Sequence, residues 1–237
     1  MNLILLTTTD FLTDDTVTLT DRRFQHISRV HQAQEGDTLR VGKLNGDLGN
    51  AVVTALTDTS VTLQVNFTQS PPPALPLTLI MALPRPKMLK RTLQSVTSMG
   101  VKQIYLINAY RVDKSYWSSP VLQEDSLREH LLLGLEQCID TQLPDIHLRK
   151  RFKPFVEDEL PAIAANTRAL IAHPYDAAPC PAATDTPTTL AVGPEGGFIQ
   201  YEVNKLKEAG LDAMHIGPRI LRVENAVPVL LARLFPI

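Results

Sequence analysis

The chain predicts two units: a small β-rich one first, then a larger α/β one built on a parallel sheet. Three observations carry this. A proline series, Ser70-Pro71-Pro72-Pro73-Ala74-Leu75-Pro76, divides the sequence, and serial prolines stiffen a connection and continue neither a helix nor a central strand. Before it, β-branched segments alternate apolar and polar residues. After it, apolar strands alternate with helical repeats, the pattern of a parallel sheet covered on both faces. The predicted boundaries are 1–70 for the first unit, 71–76 for the linker and 77–237 for the second.

In the first unit, Leu3 to Leu6, Thr38 to Val41, Leu48 to Leu56 and Val61 to Phe67 read as strands. Val61, Leu63, Val65 and Phe67 alternate with Thr62, Gln64 and Asn66, the period of a half-buried strand. Asn45-Gly46 signals a hairpin, since both residues tolerate positive φ. Asp21 to Val30 reads as a short helix. The sum is a small barrel or sandwich.

In the second unit, Leu77 to Leu83, Ile104 to Ile107, Ala169 to Ala172, Leu190 to Val192 and Ala213 to Ile216 are strand candidates. Lys87 to Met99 carries Leu89, Leu93 and Val96 at helical spacing and is closed by Gly100. Leu127, Leu131, Leu135 and Ile139 mark a long amphipathic helix. Tyr201 to Ala209 is a polar helix stopped by Gly210. Ala226 to Leu234 is the last helix, and Pro228 predicts a late start or a kink.

The composition is ordinary for a globular protein: 237 residues, 44% hydrophobic and 20% charged, with a net charge of −2. Cys138 and Cys180 lack metal-ligand spacing and make no disulfide framework, which points to a reducing cytosol and no metal. No apolar run is long enough for a bilayer, and the opening Met1 to Leu6 is too short for a signal peptide. The expected location is the cytoplasm. Against the neutral balance stand three local basic clusters: Arg22, Arg23, Arg29, Arg40 and Lys43; Arg85, Lys87, Lys90 and Arg91; and Arg149, Lys150, Arg151 and Lys153.

Two loops carry the chemistry. Gly193-Pro194-Glu195-Gly196-Gly197-Phe198 follows a buried strand, the place where open α/β sheets bind ligands. It is neither the dinucleotide fingerprint nor a Walker loop. Gly217-Pro218-Arg219-Ile220-Leu221-Arg222 follows the last strand and precedes the last helix. Together they form two walls of a pocket with few charges, namely Glu195, Arg219, Arg222 and Glu224. Such a pocket suits a nucleoside better than a triphosphate.

These loops, with an acid and an alanine opening a final helix, resemble the bacterial ribosomal RNA uridine-N3 methyltransferases of RsmE type, members of the SPOUT superfamily. Arg22 to Val30 followed by Glu35-Gly36-Asp37, Pro76 to Leu79, Met99-Gly100-Val101, Arg111 and Glu136-Gln137 extend the resemblance through nearly the whole chain. It implies a PUA-like β-barrel joined to an α/β domain with a deep trefoil knot, a homodimer paired through the knot, and S-adenosylmethionine as methyl donor. Cofactor contacts then fall on Gly193, Pro194, Glu195, Gly196, Gly197, Ile216, Gly217, Ile220, Leu221 and Arg222, with His173 near the pocket. Arg222 is the expected catalytic cation and Glu224 the expected general base. RNA, as ribosomal RNA or the small ribosomal subunit, is expected on Arg22, Arg23, Arg29, Arg40, Lys43, Arg85, Lys87 and Arg111. The chain departs from the family at Ser95, Ser98, Asp140, Val223 and Asn225, which leaves two further readings. One is a methyltransferase for another base or RNA; the other is an RNA-binding relative without catalysis.

Overall fold

The computed structural model describes residues 1–236. Its contacts gather into two units, Met1–Pro73 with Leu132–Leu143, and Ala74–Leu131 with the chain from Pro144 onward. The first unit thus takes in a segment that lies far beyond the proline series in sequence.

The first unit holds β1 (Ile4–Leu6), β2 (Thr16–Leu19), α1 (Arg22–Arg29), β3 (Thr38–Lys43), β4 (Leu48–Leu56) and β5 (Val61–Gln69). They form one mixed sheet in the order β1-β3-β4-β5-β2, in which only the β1–β3 pair is parallel. β2 escapes sequence reading because four residues give only two apolar positions, Val17 and Leu19. Both are buried against Ile4, Leu6, Ile27, Val41, Val61 and Leu63. The other side chains of β1 point the opposite way. Leu3 and Leu5 cluster with Leu48 and Leu135, which explains why Leu132–Leu143 belongs here.

The Asn45-Gly46 turn joins β3 to β4 with only Asn45 at positive φ, 59°. Asn45 also fastens the distant segment: its amide donates to the Thr141 carbonyl at 2.8 Å and its Oδ1 accepts from the Leu143 amide at 2.9 Å. A Cβ on Gly42 would come within 2.5 Å of Thr141 Cγ2, so this approach requires glycine.

Charged residues in this unit work inward. Arg23, expected on RNA, is only 9% exposed. Its guanidinium donates to both Asp10 oxygens at 2.7 Å, to the Leu5 carbonyl at 2.7 Å and to Asp21 at 2.8 Å. These bonds leave it nothing for phosphate, and the expectation is corrected: Arg23 is a structural ion-pair residue. Arg22 makes a bidentate pair with buried Glu136 at 2.6 and 2.9 Å, though its side chain stays 44% exposed. Arg29, Arg40 and Lys43 are exposed. Asp140, one of the positions where the chain departs from the family, is 2% exposed and accepts from the Gln142 amide at 2.9 Å, so it shapes a turn.

The second unit is a seven-stranded, fully parallel sheet. In chain order its elements are β6 (Leu77–Ala82), α2 (Pro86–Ser98), β7 (Gln103–Ile107), α3 (Glu124–Cys138, whose end joins the first unit) and β8 (Asp145–Arg149). A helical passage follows, α4 (Phe152–Pro154), a π-helical stretch Phe155–Glu159 and α5 (Leu160–Ala164). Then come β9 (Arg168–Ala172), β10 (Ala178–Pro179), β11 (Thr188–Val192), α6 (Gln200–Glu208), β12 (Asp212–His215) and α7 (Val223–Leu234). The sheet order is β10-β12-β9-β11-β6-β7-β8. β11, central and buried at all five positions, reads as the continuous apolar run such strands require. β8 was not legible because Asp145-Ile146-His147-Leu148-Arg149 lacks that run. α7 starts at Val223, three residues before the expected Ala226, and runs through Pro228. Among the described residues no helix is long and apolar enough to cross a membrane.

The Arg23 cluster generates a prediction. Burial works to raise the Asp10 carboxyl, but hydrogen bonds from Arg23 and the Thr7 amide outweigh it and hold its pKa below the ordinary 3.8; Asp21 is lowered by the same balance. Carboxylates depressed in the folded state add stability above their unfolded pKa and lose it as pH falls through the folded value. The first unit is therefore expected to weaken as pH drops below 3.8. Arg23→Ala, which strands Asp10, is expected to cost about 3–5 kcal/mol at neutral pH. Urea unfolding of both proteins across that pH range checks this, and the variant is expected to show the weaker acid dependence.

Candidate functional site

One row of aligned residues crosses the sheet: Met214, Ala172, Val192, Met81, Leu106 and Leu148 on β12, β9, β11, β6, β7 and β8. All strands are parallel, so every chain leaves this row toward the same rim. The loops after β9, β11 and β12 enclose a cavity of about 450 Å³ there, within the usual size of a small-molecule site.

The first wall is the loop after β11. Gly193 lies so close to the returning chain that a Cβ would come within 2.8 Å of the Phe198 amide nitrogen. The Gly197 amide donates to the Pro194 carbonyl at 2.7 Å, and Gly197 sits at φ 75°, a conformation that strains residues carrying a Cβ. Phe198 is 3% exposed and anchors the end of the loop.

Three neighbours fasten this loop. Glu195 accepts from the Arg85 amide at 3.2 Å. Arg111, beyond β7, donates to the Gly196 carbonyl, and a Cβ on Gly196 would come within 2.8 Å of its Cδ. Glu202 of α6 is 3% exposed; one of its oxygens accepts from the Tyr110 amide at 2.6 Å and the other from the Ile199 amide at 3.0 Å. Sequence reading missed Glu202. Its only signal was an acid at the third position of a helix, where a carboxylate can reach back to a free N–H.

The second wall is the loop after β12. Gly217 takes φ 128°, and its amide donates to His215 Nδ1 at 3.2 Å. That bond makes Nδ1 the acceptor and leaves the His215 proton on Nε2. Ile216, Gly217, Arg219, Ile220 and Leu221 all line the cavity, followed by Val223, Ala226 and Leu230 of α7. Ile220 is 70% exposed at its mouth.

A third side is the chain after β9. The His173 amide donates to the Met214 carbonyl at 3.0 Å, and its ring packs edge-on to Tyr175. Both residues line the cavity. His173 Nδ1 is buried and has no hydrogen-bond partner. Burial, and then the charge of Lys207, push its pKa below the ordinary 6.5, so the imidazole is neutral at physiological pH.

The cavity thus collects Gly193, Pro194, Glu195, Gly196, Gly197, Ile216, Gly217, Ile220 and Leu221 from the expected set, and His173 with them. It does not collect Arg222 or Glu224. Arg222 is exposed, and its carbonyl accepts from the Asn225 and Ala226 amides to open α7. Glu224 is half-buried in the first helical turn, where the helix dipole favours a carboxylate. The arginines that line the cavity are Arg111 and Arg219. Arg85 and Lys87 are exposed just beyond β6. The chemistry available is therefore a nucleoside-sized recess with backbone donors and acceptors, two cations at its border and a neutral imidazole.

Comparison with known proteins agrees with this reading. The family described as RNA methyltransferase domain matches residues 71–235. A ribosomal RNA small subunit methyltransferase E from Treponema pallidum is 28% identical over 222 residues, covering 87% of this chain and 79% of its own. A Borreliella burgdorferi relative, ribosomal RNA small subunit methyltransferase E 1, is 24% identical and covers 95% and 94%. Among solved structures, a Neisseria gonorrhoeae ribosomal RNA small subunit methyltransferase E bound to S-adenosyl methionine superposes with a TM-score of 0.76. It is 21% identical, with 98% of this chain and 95% of that chain covered. By the family match over most of its length, and by a glycine-walled recess at the carboxyl rim of a parallel sheet, this chain belongs to the RNA methyltransferase domain family.

Proposed function

We propose that this protein is an S-adenosylmethionine-dependent methyltransferase that modifies N3 of a uridine in small-subunit ribosomal RNA. The observation that carries the reading is the cavity of about 450 Å³ between two glycine loops. The site suits a nucleoside: the lining is largely apolar, a Cβ on Gly197 or Gly217 would meet no protein atom within 4 Å, so the backbone there is open, and His173 Nδ1 lacks a partner. The relatives' activity and the cofactor bound in the Neisseria gonorrhoeae structure support the same reading. The family resemblance adds a PUA-like first domain, a trefoil knot, a homodimer and a cytoplasmic setting. Exposed Ile220 and Leu221 are suited to the dimer contact.

The loops Gly193–Gly197 and Ile216–Leu221 would hold the cofactor, which supplies an electrophilic methyl group. Uridine N3 carries a proton that must leave before or during attack, and the resulting charge spreads to the flanking carbonyl oxygens. We assign the acceptance of that proton to His173, which lines the cavity and whose imidazole is neutral. Arg219 takes over the stabilising role first expected of Arg222, because it lines the cavity and Arg222 does not. Val223, one of the positions where the chain departs from the family, lies in the lining and favours one second reading, a different target base. RNA would be guided by exposed Arg29, Arg40, Lys43, Arg85 and Lys87, with Arg22 and Arg111 beside their own partners.

Three outcomes are expected. Gly193→Ala should weaken S-adenosylmethionine binding more than about tenfold by calorimetry, because the added methyl displaces the Phe198 backbone. Arg219→Ala should retain cofactor binding and lose about 100-fold in turnover, whereas a loss confined to Arg222→Ala would return the role to Arg222. Turnover should fall on the acid side with an apparent pKa below that of a free histidine, because His173 must be unprotonated and its pKa is lowered from the ordinary 6.5; His173→Ala should abolish this acid limb. Mass spectrometry of ribosomal RNA from a deletion strain, showing loss of 3-methyluridine, tests the acceptor itself.

A further inference from the structure

The rim that carries the cavity continues past it. One step beyond the aligned row come His173, Gly193, Ala82, Ile107 and Arg149, and the Asn108 amide extends the pairing to the Arg149 carbonyl at 3.0 Å. Strands lie about 4.8 Å apart, so from β11 through β6 and β7 to β8 the rim extends about 14 Å from the cavity wall. Each chain that leaves this stretch delivers exposed cations: Lys87 after β6, Arg111 and Lys114 after β7, Lys150 and Arg151 after β8.

The nearby acids are largely occupied. Arg149 pairs with Glu159 at 2.8 Å. Glu157 is shared by Lys153 and Lys205. Asp113 accepts from the Ser115 amide and hydroxyl, each at 2.8 Å. Lys150 and Arg151, from the basic cluster that the cavity left unexplained, have no acidic partner among the described residues. Between the cations stands Tyr110, 78% exposed. Its backbone is pinned by buried Glu202, and the next residue is tied to the glycine loop. A large aromatic on a fixed mount, flanked by cations, is the arrangement that binds unpaired nucleotides.

We propose that the rim over β6, β7 and β8 is a track for the RNA strand leading to the cavity. Lys87, Lys114, Lys150 and Arg151 contact phosphates, and Tyr110 stacks on an unpaired base near the target. The track rests on the methyltransferase reading and names a path for its substrate.

The test uses the full-length protein and an in vitro transcript of small-subunit ribosomal RNA, with anisotropy titrations at several salt concentrations and cofactor calorimetry alongside. The triple variant Lys114→Ala, Lys150→Ala, Arg151→Ala is expected to bind RNA at least about tenfold more weakly. Its salt slope should fall by about two to three, because each of the three lost phosphate contacts removes about 0.7 to 0.9. Tyr110→Ala is expected to weaken RNA binding with its salt slope unchanged. Both should bind S-adenosylmethionine as the wild type does. Unchanged RNA affinity and slope in the triple variant, or loss of cofactor binding in parallel, overturns the track. If the wild type methylates the transcript while the variants match it, the track alone fails. If the wild type neither binds RNA nor takes up the cofactor, the functional reading fails with it.

Discussion

The in-register parallel pairing of β12, β9, β11, β6, β7 and β8 is the constraint on which the second unit depends. Parallel strands cannot be joined by tight hairpins, so each must be followed by a crossover. Those crossovers all leave from one rim. The aligned row from Met214 to Leu148 makes that rim even, and β11, buried throughout, fixes its centre. A cavity then forms wherever neighbouring loops part, and here that is over β9, β11 and β12.

The glycine loop is held from outside as much as by its own conformation. Positive φ at Gly197 and the close approach at Gly193 let the chain turn back, but a loop rich in glycine costs more entropy to order. Glu195 on the Arg85 amide, Arg111 on the Gly196 carbonyl and Glu202 on two amides offset that cost. Glu202 is buried, which is tolerable because both its oxygens receive N–H donors. It couples the loop after β7 to α6, and therefore the rim to the cavity wall.

In the first unit the corresponding device is the buried ion-pair set. Arg23 is taken up by Asp10 and Asp21, whereas Arg22 pairs with buried Glu136 and keeps its side chain 44% exposed. Charge clusters in a sequence do not reveal which way side chains point. A cation in a basic cluster reads the same whether it meets phosphate or a buried carboxylate.

The sequence by itself determined the β-rich first unit, the parallel α/β second unit and the two loops of the recess, because period-2 and period-3.6 patterns and glycine-bearing strand ends are local signals. It missed β2, β8 and β10; β2 and β10 are too short, and β8 lacks an apolar run. Only the tertiary structure decided that Leu132–Leu143 packs with the first unit, since contact between Leu135 and Leu3 or Leu5 leaves no trace in spacing. It also decided that Arg219 and Arg111, not Arg222, border the cavity. The loop after β12 carries both Arg219 and Arg222, three positions apart, and residues that far apart along a turn face different ways. Which arginine meets a ligand is set by the path of the backbone, and that path is fixed by contacts from distant strands.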